Sequence, residues 1–167
     1  MRRVVVLGSG GAGKSTLARQ LGEVLGLPVI HLDREHWRPG WVETPRDEWA
    51  ERVAELVAGD SWVIDGNYGG TIESRLRACN TAIFLDLPRS LCLWRVMRRW
   101  RRYRGRTRPD MTPGCDERLD WTFVRWIWNY PRAHRPVVME QLARLGAGQR
   151  LVHLHSRREV RDFMATL

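Results

Sequence analysis

The chain has 167 residues, with 28 basic and 19 acidic side chains, and its formal net charge is +9. This length is typical of a single domain with a substantial core. No apolar run approaches the roughly 18 residues of a membrane-spanning helix, and the chain enters a strand-like run directly, so we expect neither a membrane span nor a signal peptide. The positive charge favours polyanionic ligands.

Cysteines and histidines give little indication of a metal site. The three cysteines are widely spaced without a C-x-x-C pair, which favours reduced thiols in a cytoplasmic protein over disulfides or a zinc site. His153 and His155 share one face of a predicted strand, but the sequence shows no further ligand beside them. We therefore expect no metal role for the histidines.

The first motif in chain order is a glycine-rich loop. Residues 8–15 match the phosphate-binding pattern G-x-x-x-x-G-K-[ST] at every fixed position. Lys14 is the single lysine of the chain, and a compact ammonium fits between phosphates where a planar guanidinium would not. The loop predicts binding of ATP or GTP, with the Ser15 hydroxyl on Mg²⁺. The residues expected to hold the nucleotide are Gly8, Ser9, Gly10, Gly11, Ala12, Gly13, Lys14, Ser15 and Thr16.

The segments around this loop have the pattern that the motif requires. The β-branched run at residues 3–7 predicts a buried parallel strand, and leucines at helical spacing after Ser15 predict a helix whose positive end faces the phosphates. Strand-like runs then alternate with helices. This alternation indicates a three-layer α/β fold with a five-stranded parallel sheet in one domain, residues 1–167. The other strands are expected at residues 28–32, 62–64, 81–85 and 151–154, and a capping-box pattern predicts a last helix after Ser156.

Two segments depart from this alternation. Residues 34–60 predict a loop that carries Trp37 and Trp41, followed by a helix from about Pro45 with Thr44 as its N-cap. The two tryptophans lie outside predicted regular structure and are candidates to line a substrate pocket. The second segment is interpreted as an arginine-rich helix from Ser90, a Gly/Pro loop at 105–114, a helix over 116–129, and breaks at Pro131 and Pro136.

Two aspartates end predicted strands, Asp33 after the second strand and Asp65 after the third. In parallel α/β sheets, ligands bind beyond the carboxyl ends of the strands. A carboxylate there can hold Mg²⁺ through water, orient an acceptor or take its proton, whereas the structural alternative is an aspartate that shapes a turn. We assign Asp33 to the acceptor and Asp65, with Ser15, to the metal ion. Which aspartate acts as the base stays open.

The positive charge is concentrated in one stretch. Eight arginines occur in fourteen residues without an acid: Arg95, Arg98, Arg99, Arg101, Arg102, Arg104, Arg106 and Arg108. Such a block can bind nucleic acid, cover nucleotide phosphates as a lid, or form a solvated helix face, and the phosphate loop favours the lid. Arg95 and Arg99 are four residues apart and share a helix face, so they can clamp a transferring phosphoryl group.

Several motifs together resemble those of adenylate kinase-like P-loop kinases. They are the phosphate loop, Val63-Ile64-Asp65-Gly66, Phe84-Leu85-Asp86-Leu87-Pro88 and Arg95-x-x-x-Arg99. The resemblance implies a five-stranded core with a substrate flap at about 34–60 and a lid at about 98–135. It also implies ATP and Mg²⁺ as cofactors, metal and substrate contacts at Asp65 and Gly66, and contacts of Arg95 and Arg99 with ATP.

A second resemblance covers nearly the whole chain and is to the group described as DNA topology modulation proteins. It rests on His31-Leu32-Asp33, Trp37, Gly40-Trp41, Asp65-Gly66-Asn67-Tyr68-Gly69-Gly70-Thr71, Tyr103-Arg104-Gly105-x-Thr107-Arg108-Pro109-Asp110-Met111 and Trp126-x-Trp128-Asn129-Tyr130. These proteins are kinase-like, and their description suggests an effect on DNA supercoiling. The resemblance therefore implies nucleic acid as one partner, bound through the arginine-rich lid.

The acceptor is the open question. Nucleoside monophosphate kinases continue the Asp-Gly motif with an aromatic residue, proline and arginine, whereas residues 67–70 offer no arginine, for which Arg34 or Arg38 could substitute. An aspartate ending the second strand instead resembles shikimate- and gluconate-type kinases, where it holds the acceptor hydroxyl.

The resulting hypothesis is an ATP- and Mg²⁺-dependent phosphotransferase. A nucleoside monophosphate is the first choice of acceptor and a small hydroxylated metabolite the second, and a nucleotide-dependent DNA-binding regulator is the competing class. The expected catalytic residues are Lys14, Asp33, Arg95 and Arg99, and the expected substrate contacts are Asp33, Arg34, Trp37, Trp41, Asp65, Gly66 and Asn67.

Overall fold

The computed structural model describes all residues from Met1 to Leu167, and its centre is a five-stranded parallel sheet. The strands are β1 (Arg3–Gly8), β2 (Val29–His31), β5 (Trp62–Asp65), β6 (Thr81–Leu85) and β7 (Arg150–Leu154). Their order across the sheet is β2-β5-β1-β6-β7. A separate antiparallel hairpin pairs β3 (Trp37–Arg38) with β4 (Val42–Glu43). The predicted α/β class with five parallel strands is confirmed.

Eight α-helices and one 3₁₀ turn connect the strands. The helices are α1 (Lys14–Leu25), α2 (Leu32–His36), α3 (Arg46–Val57), α4 (Ile72–Ala78), α5 (Arg89–Tyr103), α6 (Trp121–Ala133), α7 (Arg135–Leu142) and α8 (Arg157–Ala165), and the 3₁₀ turn is Gly69–Thr71. None of these helices combines the length and the apolar composition that crossing a membrane requires.

The core has two halves, one on each face of the sheet. Successive residues of a strand point to opposite faces, so Val4 and Val6 of β1 pack into one half and Val5 and Leu7 into the other. The first half takes side chains from α1, α5, α6 and α8, and the second from α2, α3, α4, α6 and α7. This burial on both faces explains why the central strand consists of consecutive apolar residues.

The flap, residues 34–60, differs from its sequence interpretation. The second strand ends at His31, and Asp33 lies in the first turn of α2, where a carboxylate interacts favourably with the positive helix end. Trp37 belongs to the short hairpin, and Trp41 lies at its turn with φ 64°. Thr44 does not cap α3, because its hydroxyl donates to the carbonyl of His36 at 2.7 Å.

The lid, residues 98–135, also has a different helix boundary. Helix α6 begins at Trp121 instead of residue 116, because Oδ1 of Asp120 caps it by accepting from the N–H groups of Thr122 and Phe123 at 2.8 and 3.4 Å. Pro131 does not end this helix. It lies in the last turn, where its missing N–H removes one helical hydrogen bond.

The last helix begins as predicted. The N–H of Glu159 donates to Oγ of Ser156 at 3.1 Å, and the Glu159 carboxylate accepts from the N–H of His155 at 2.8 Å. This pair of hydrogen bonds is a variant of the capping box, in which the Glu159 carboxylate reaches the N–H one residue before the N-cap Ser156. It fixes the turn between β7 and α8 at the carboxyl edge of the sheet.

Candidate active site

The glycine-rich loop joins β1 to α1 at the centre of the sheet's carboxyl edge. Gly11 and Gly13 have φ values of 77° and 101°, which side chains rarely tolerate. A side chain at Gly11 would also place its Cβ 2.3 Å from the carbonyl oxygen of Cys92 in α5. The loop is therefore curled tightly against α5, with the positive end of α1 directly behind it, and this geometry suits an anion.

Lys14 folds back over the loop. Its Nζ donates to the carbonyl oxygens of Gly8 and Ser9, both at 3.0 Å. Burial lowers the pKa of the Lys14 ammonium, and the charges of Asp33 and Asp65 act in the opposite direction. The charges of Asp33 and Asp65 thus both act on Lys14. This position suits a lysine that binds phosphate between a metal site and an acceptor site.

Asp65 is the buried centre of a three-residue hydrogen-bond group. Its Oδ2 accepts from the hydroxyl of Ser15 at 2.7 Å, and its Oδ1 is hydrogen-bonded to Nδ1 of His31. Burial alone would lower the pKa of His31, but the hydrogen bond and the charge of Asp65 outweigh it and the pKa is raised. A hydroxyl and a carboxylate are the hard oxygen ligands that Mg²⁺ takes together with water, so Ser15 and Asp65 fit that ion.

Asp33 lies half-buried on α2 and is held by Tyr68. Its Oδ1 accepts from the Tyr68 hydroxyl at 2.8 Å, and burial together with the Asp33 charge raises the pKa of Tyr68. Tyr68 has a φ of 38°, a left-handed conformation that is unfavourable for an aromatic residue and is concentrated at functional sites. The Tyr68 ring packs against His36 and Trp49 at centroid distances of 4.6 and 5.1 Å. Asp33 therefore has a fixed carboxylate beside an aromatic wall.

The loop after β5 is fixed by Arg75, which the sequence analysis did not single out. This side chain is fully buried and donates to the carbonyl oxygens of Gly66 at 2.8 Å, Tyr68 at 3.2 Å and Asn67. Burial lowers the pKa of Arg75 to about 9. Because its guanidinium is occupied by backbone, Arg75 shapes the loop and is not available to hold a ligand phosphate.

Gly66 and Asn67 connect neighbouring parts of the site. Gly66 has a φ of 136°, and a Cβ there would lie 2.9 Å from Cβ of Leu32, so the backbones of two segments approach closely. Oδ1 of Asn67 accepts from the N–H of Gly8 at 3.2 Å. The amide of Asn67 thus ties the β5 loop to the phosphate loop.

The paired lid arginines have different partners. Arg95 donates to the carbonyl oxygen of Ala12 at 2.7 Å and lies over the phosphate loop. Nε of Arg99 donates to Oε1 of Glu117 at 2.8 Å, and Oε2 of the same carboxylate forms an ion pair with Nε of Arg108 at 2.7 Å. Burial lowers the pKa of both Arg95 and Arg99. Glu117, which is buried, fixes the position of the Arg99 guanidinium.

The flap and the lid contact each other. Nε1 of Trp41 donates to the carbonyl oxygen of Asp116 at 3.1 Å, and the guanidinium of Arg118 lies 5.2 Å from the Trp41 ring. The Trp37 ring packs against Trp41 at 5.3 Å. Arg34 is exposed, and its carbonyl oxygen accepts from the hydroxyl of Thr112 at 2.7 Å. Trp41, with Trp37 packed against it, therefore contributes to the contact between flap and lid, and the Arg34 side chain faces solvent.

The structure brings most of the predicted site residues together at one edge. Lys14, Ser15, Asp65 and Asn67 are joined by the contacts described above, and Asp33 acts electrostatically on Lys14. Thr16 is exposed on α1. No role for His31, Tyr68, Arg75 or Glu117 was expected from the sequence. Only the buried character of Arg75 and Glu117, which no local pattern reveals, marks those two as important.

Comparisons with known proteins give the fold. No family model and no curated protein matches the chain. A shikimate kinase from Acinetobacter baumannii in complex with shikimate has a TM-score of 0.63 and 19% sequence identity, with 99% of this chain and 90% of that chain covered. A gluconokinase from Sinorhizobium meliloti has a TM-score of 0.51 and 17% identity, with coverage of 99% and 92%.

A second shikimate kinase, from Bacteroides thetaiotaomicron, has a TM-score of 0.57 and 17% identity, with 99% of this chain and 95% of that chain covered. The three matches span both the sheet and the flap and lid segments, since almost the whole chain is covered in each. The architecture of this chain is that of the solved shikimate kinase and gluconokinase structures.

Proposed function

We propose that the protein is an ATP- and Mg²⁺-dependent phosphotransferase that transfers the γ-phosphoryl group to a hydroxyl of a small molecule. The observation that carries this proposal is the arrangement of Lys14 on the phosphate loop, within reach of the charges of Asp33 and Asp65. This arrangement supplies a phosphate-binding ammonium, a metal carboxylate and a second carboxylate for the acceptor. The shared fold with shikimate kinase and gluconokinase structures supports the same reaction class.

Each side chain has a defined task in this reaction. Lys14 and the loop N–H groups hold the phosphates, and Ser15 and Asp65 would hold Mg²⁺, which neutralises charge on the phosphate oxygens when bound. The oxygen of the acceptor hydroxyl bonds to the γ-phosphorus, and the Asp33 carboxylate takes the proton of that hydroxyl. The bond from that phosphorus to the bridging oxygen breaks, and ADP leaves. Arg95 and Arg99 stabilise charge on the transferring group.

The acceptor we favour is a small hydroxylated compound, which reverses the order suggested by the sequence. A nucleoside monophosphate needs a free arginine beside the Asp-Gly loop, but Arg75 is buried against carbonyl groups there. Arg38 on the flap pairs with Glu48, and the exposed Arg34 side chain has no hydrogen-bond or ion-pair partner that orients it toward Asp33. A hydroxyl held by Asp33 against the aromatic wall of Tyr68 and Trp49 needs no such clamp.

The test is ADP release by the purified protein across a panel of small polyols, sugar acids and nucleoside monophosphates. Lys14→Ala is the blank, and Arg19→Ala, on the exposed face of α1, is the matched control that keeps full activity. Turnover on a hydroxylated metabolite is the expected result. Turnover on nucleoside monophosphates alone would restore the first acceptor suggested by the sequence, and no ADP release with any acceptor would overturn the proposal.

A second candidate function is a nucleotide-dependent DNA-binding regulator. One observation favours it: Arg98, Arg101, Arg102, Arg104 and Arg106 are all exposed on α5 and the loop that follows. Binding through these side chains would release counterions, so its affinity would fall steeply as salt rises. A kinase would instead be stabilised against heat by ATP together with its acceptor. DNA binding that weakens steeply with salt, together with no thermal stabilisation by ATP and an acceptor, would favour the DNA-binding regulator.

A further inference from the structure

A compact group of metal-ligating side chains lies outside the phosphate-binding region, at the carboxyl edge of β6 and β7. In the parallel pairing of these strands, Phe84 is opposite His153. Side chains alternate between faces with a period of two, so Asp86 and His155 extend the same row on the same face. Three ligand-bearing residues, one in β7 and two directly after β6 and β7, therefore meet at one place.

The distances within this group suit a small metal ion. Nε2 of His153 lies 2.9 Å from Oδ2 of Asp86, and Nδ1 of His155 lies 3.7 Å from the same oxygen. The three donor atoms all lie within 4.8 Å of one another. Ligand atoms in a tetrahedral zinc site are separated by about 3.3 Å, since bonds to nitrogen and oxygen are about 2.0–2.1 Å long. The two distances to Oδ2 of Asp86, 2.9 and 3.7 Å, lie below and above that separation.

The group is held in place by its surroundings. The N–H of Asp86 donates to the carbonyl oxygen of Leu154 at 2.8 Å, which fixes the backbone. Nε of Arg135 donates to Oδ1 and Oδ2 of Asp86 at 3.0 and 2.9 Å. The rings of His153 and Phe84 pack at a centroid distance of 5.1 Å. Metal-binding carboxylates and imidazoles need such outer partners, which orient them before the ion binds.

We propose that Asp86, His153 and His155 form a binding site for Zn²⁺. Two imidazoles and one carboxylate suit zinc, whereas Mg²⁺ prefers oxygen ligands of the kind supplied by Ser15 and Asp65. Zinc replaces the hydrogen bond between His153 and Asp86, and Arg135 keeps its bonds to the carboxylate. Three protein ligands leave a fourth position for water or an anion. This site does not depend on the proposed phosphotransferase activity.

The first experiment is calorimetric titration of ZnCl₂ into full-length protein that has been stripped with EDTA and dialysed into a buffer without metal affinity. We expect one saturable site with a Kd in the micromolar range. His155→Gln should weaken Zn²⁺ binding at least about tenfold, because it removes one of three ligands, while the fold is retained since the His155 side chain is 55% exposed. His134→Gln, which lies outside the group, should bind like the wild type.

A second measurement identifies the ligands. Co²⁺ in a tetrahedral site of nitrogen and oxygen ligands gives visible absorption bands that differ from those of hexa-aqua Co²⁺, and Zn²⁺ should displace it. No saturable Zn²⁺ binding to the wild type, or unchanged binding to His155→Gln, would overturn the proposal. A thiolate-to-cobalt band would overturn it as well, because it would place the ion on a cysteine.

Discussion

Glu117 accepts a hydrogen bond from Arg99 across 18 residues of chain, at 2.8 Å, and its second carboxylate oxygen pairs with Arg108. Its side chain is 4% exposed and that of Arg108 is 8% exposed. One buried carboxylate thus pairs with two guanidinium groups at the base of the lid. Removing it leaves Arg99 without its carboxylate partner and Arg108 with only its ion pair to Asp110 at 3.0 Å, and such a loss is strongly destabilising.

Glu117→Gln should therefore lower the free energy of unfolding by about 3 kcal/mol, measured by urea denaturation. The matched control is Glu140→Gln, whose pair with Arg144 is exposed on both sides and should change stability by less than about 0.5 kcal/mol. Equal effects of the two substitutions would show that the Glu117 pair is not desolvated.

Lys14→Arg should abolish nucleotide binding almost as completely as Lys14→Ala, although it keeps the positive charge. The planar guanidinium does not fit where the compact ammonium bonds to the carbonyl oxygens of Gly8 and Ser9. We expect kcat/KM for ATP to fall at least about 100-fold in both variants. Activity of Lys14→Arg close to the wild type would contradict the geometric argument.

Asp65→Asn and Asp33→Asn should have different effects. The first removes a carboxylate bonded to Ser15, so the Mg²⁺ concentration for half-maximal activity should rise about tenfold while the acceptor KM changes little. The second should lower kcat by about 100-fold or more if Asp33 takes the acceptor proton as proposed. If only Asp33→Asn changed the dependence of activity on Mg²⁺, Asp33 would be assigned to the metal ion and Asp65 to the acceptor.

Arg75→Met should lower the free energy of unfolding by about 3 kcal/mol, because the carbonyl oxygens of Gly66, Asn67 and Tyr68 lose their buried donor. Arg77→Met on the same helix is the control, since its pair with Glu73 is exposed and worth less than about 0.5 kcal/mol. Thermal unfolding of the two variants measures the difference in stability. A larger loss of stability for Arg77→Met than for Arg75→Met would be incompatible with the structure.

His36 should make the protein less stable in mild acid. Burial among the rings of Trp37, Trp49 and Tyr68 lowers the pKa of this imidazole. The unfolded chain binds the proton near pH 6.5, so stability is full above that pH and declines as the pH falls through the lower folded pKa. His36→Phe should flatten the dependence of unfolding free energy on pH below about 6.5. Parallel profiles for variant and wild type would refute this assignment.

The sheet could be predicted because its three central strands, β1, β5 and β6, are largely apolar runs, whereas the edge strands β2 and β7 also carry His31, Arg150 and His153. Apolar spacing alone extends the second strand one residue too far, to Leu32, and starts α6 too early; the N-cap side chain of Asp120 is the local signal that marks the observed start of α6. The hairpin was missed because two-residue strands have no periodicity.

The candidate site was predictable where a motif is contiguous, as in the phosphate loop, and where an aspartate follows a strand. Contacts between distant segments were not predictable. Arg75 shows no sequence sign that it is buried, and Glu117 lies 18 residues from Arg99. His153 and His155 lack a ligand in their own strand, and Asp86 comes from the neighbouring strand, 67 residues before His153.

The single lysine gives the protein an intrinsic chemical reporter. Amine-selective acylating reagents have only the Lys14 side chain and the N-terminal amine to modify. Burial lowers the pKa of the Lys14 ammonium, so a larger fraction of this side chain is in the reactive free-base form. The extent of acylation at Lys14 would therefore report whether the phosphate loop holds a nucleotide. A nucleotide seated there would shield the amine, and the unmodified fraction would measure occupancy without any substitution in the chain.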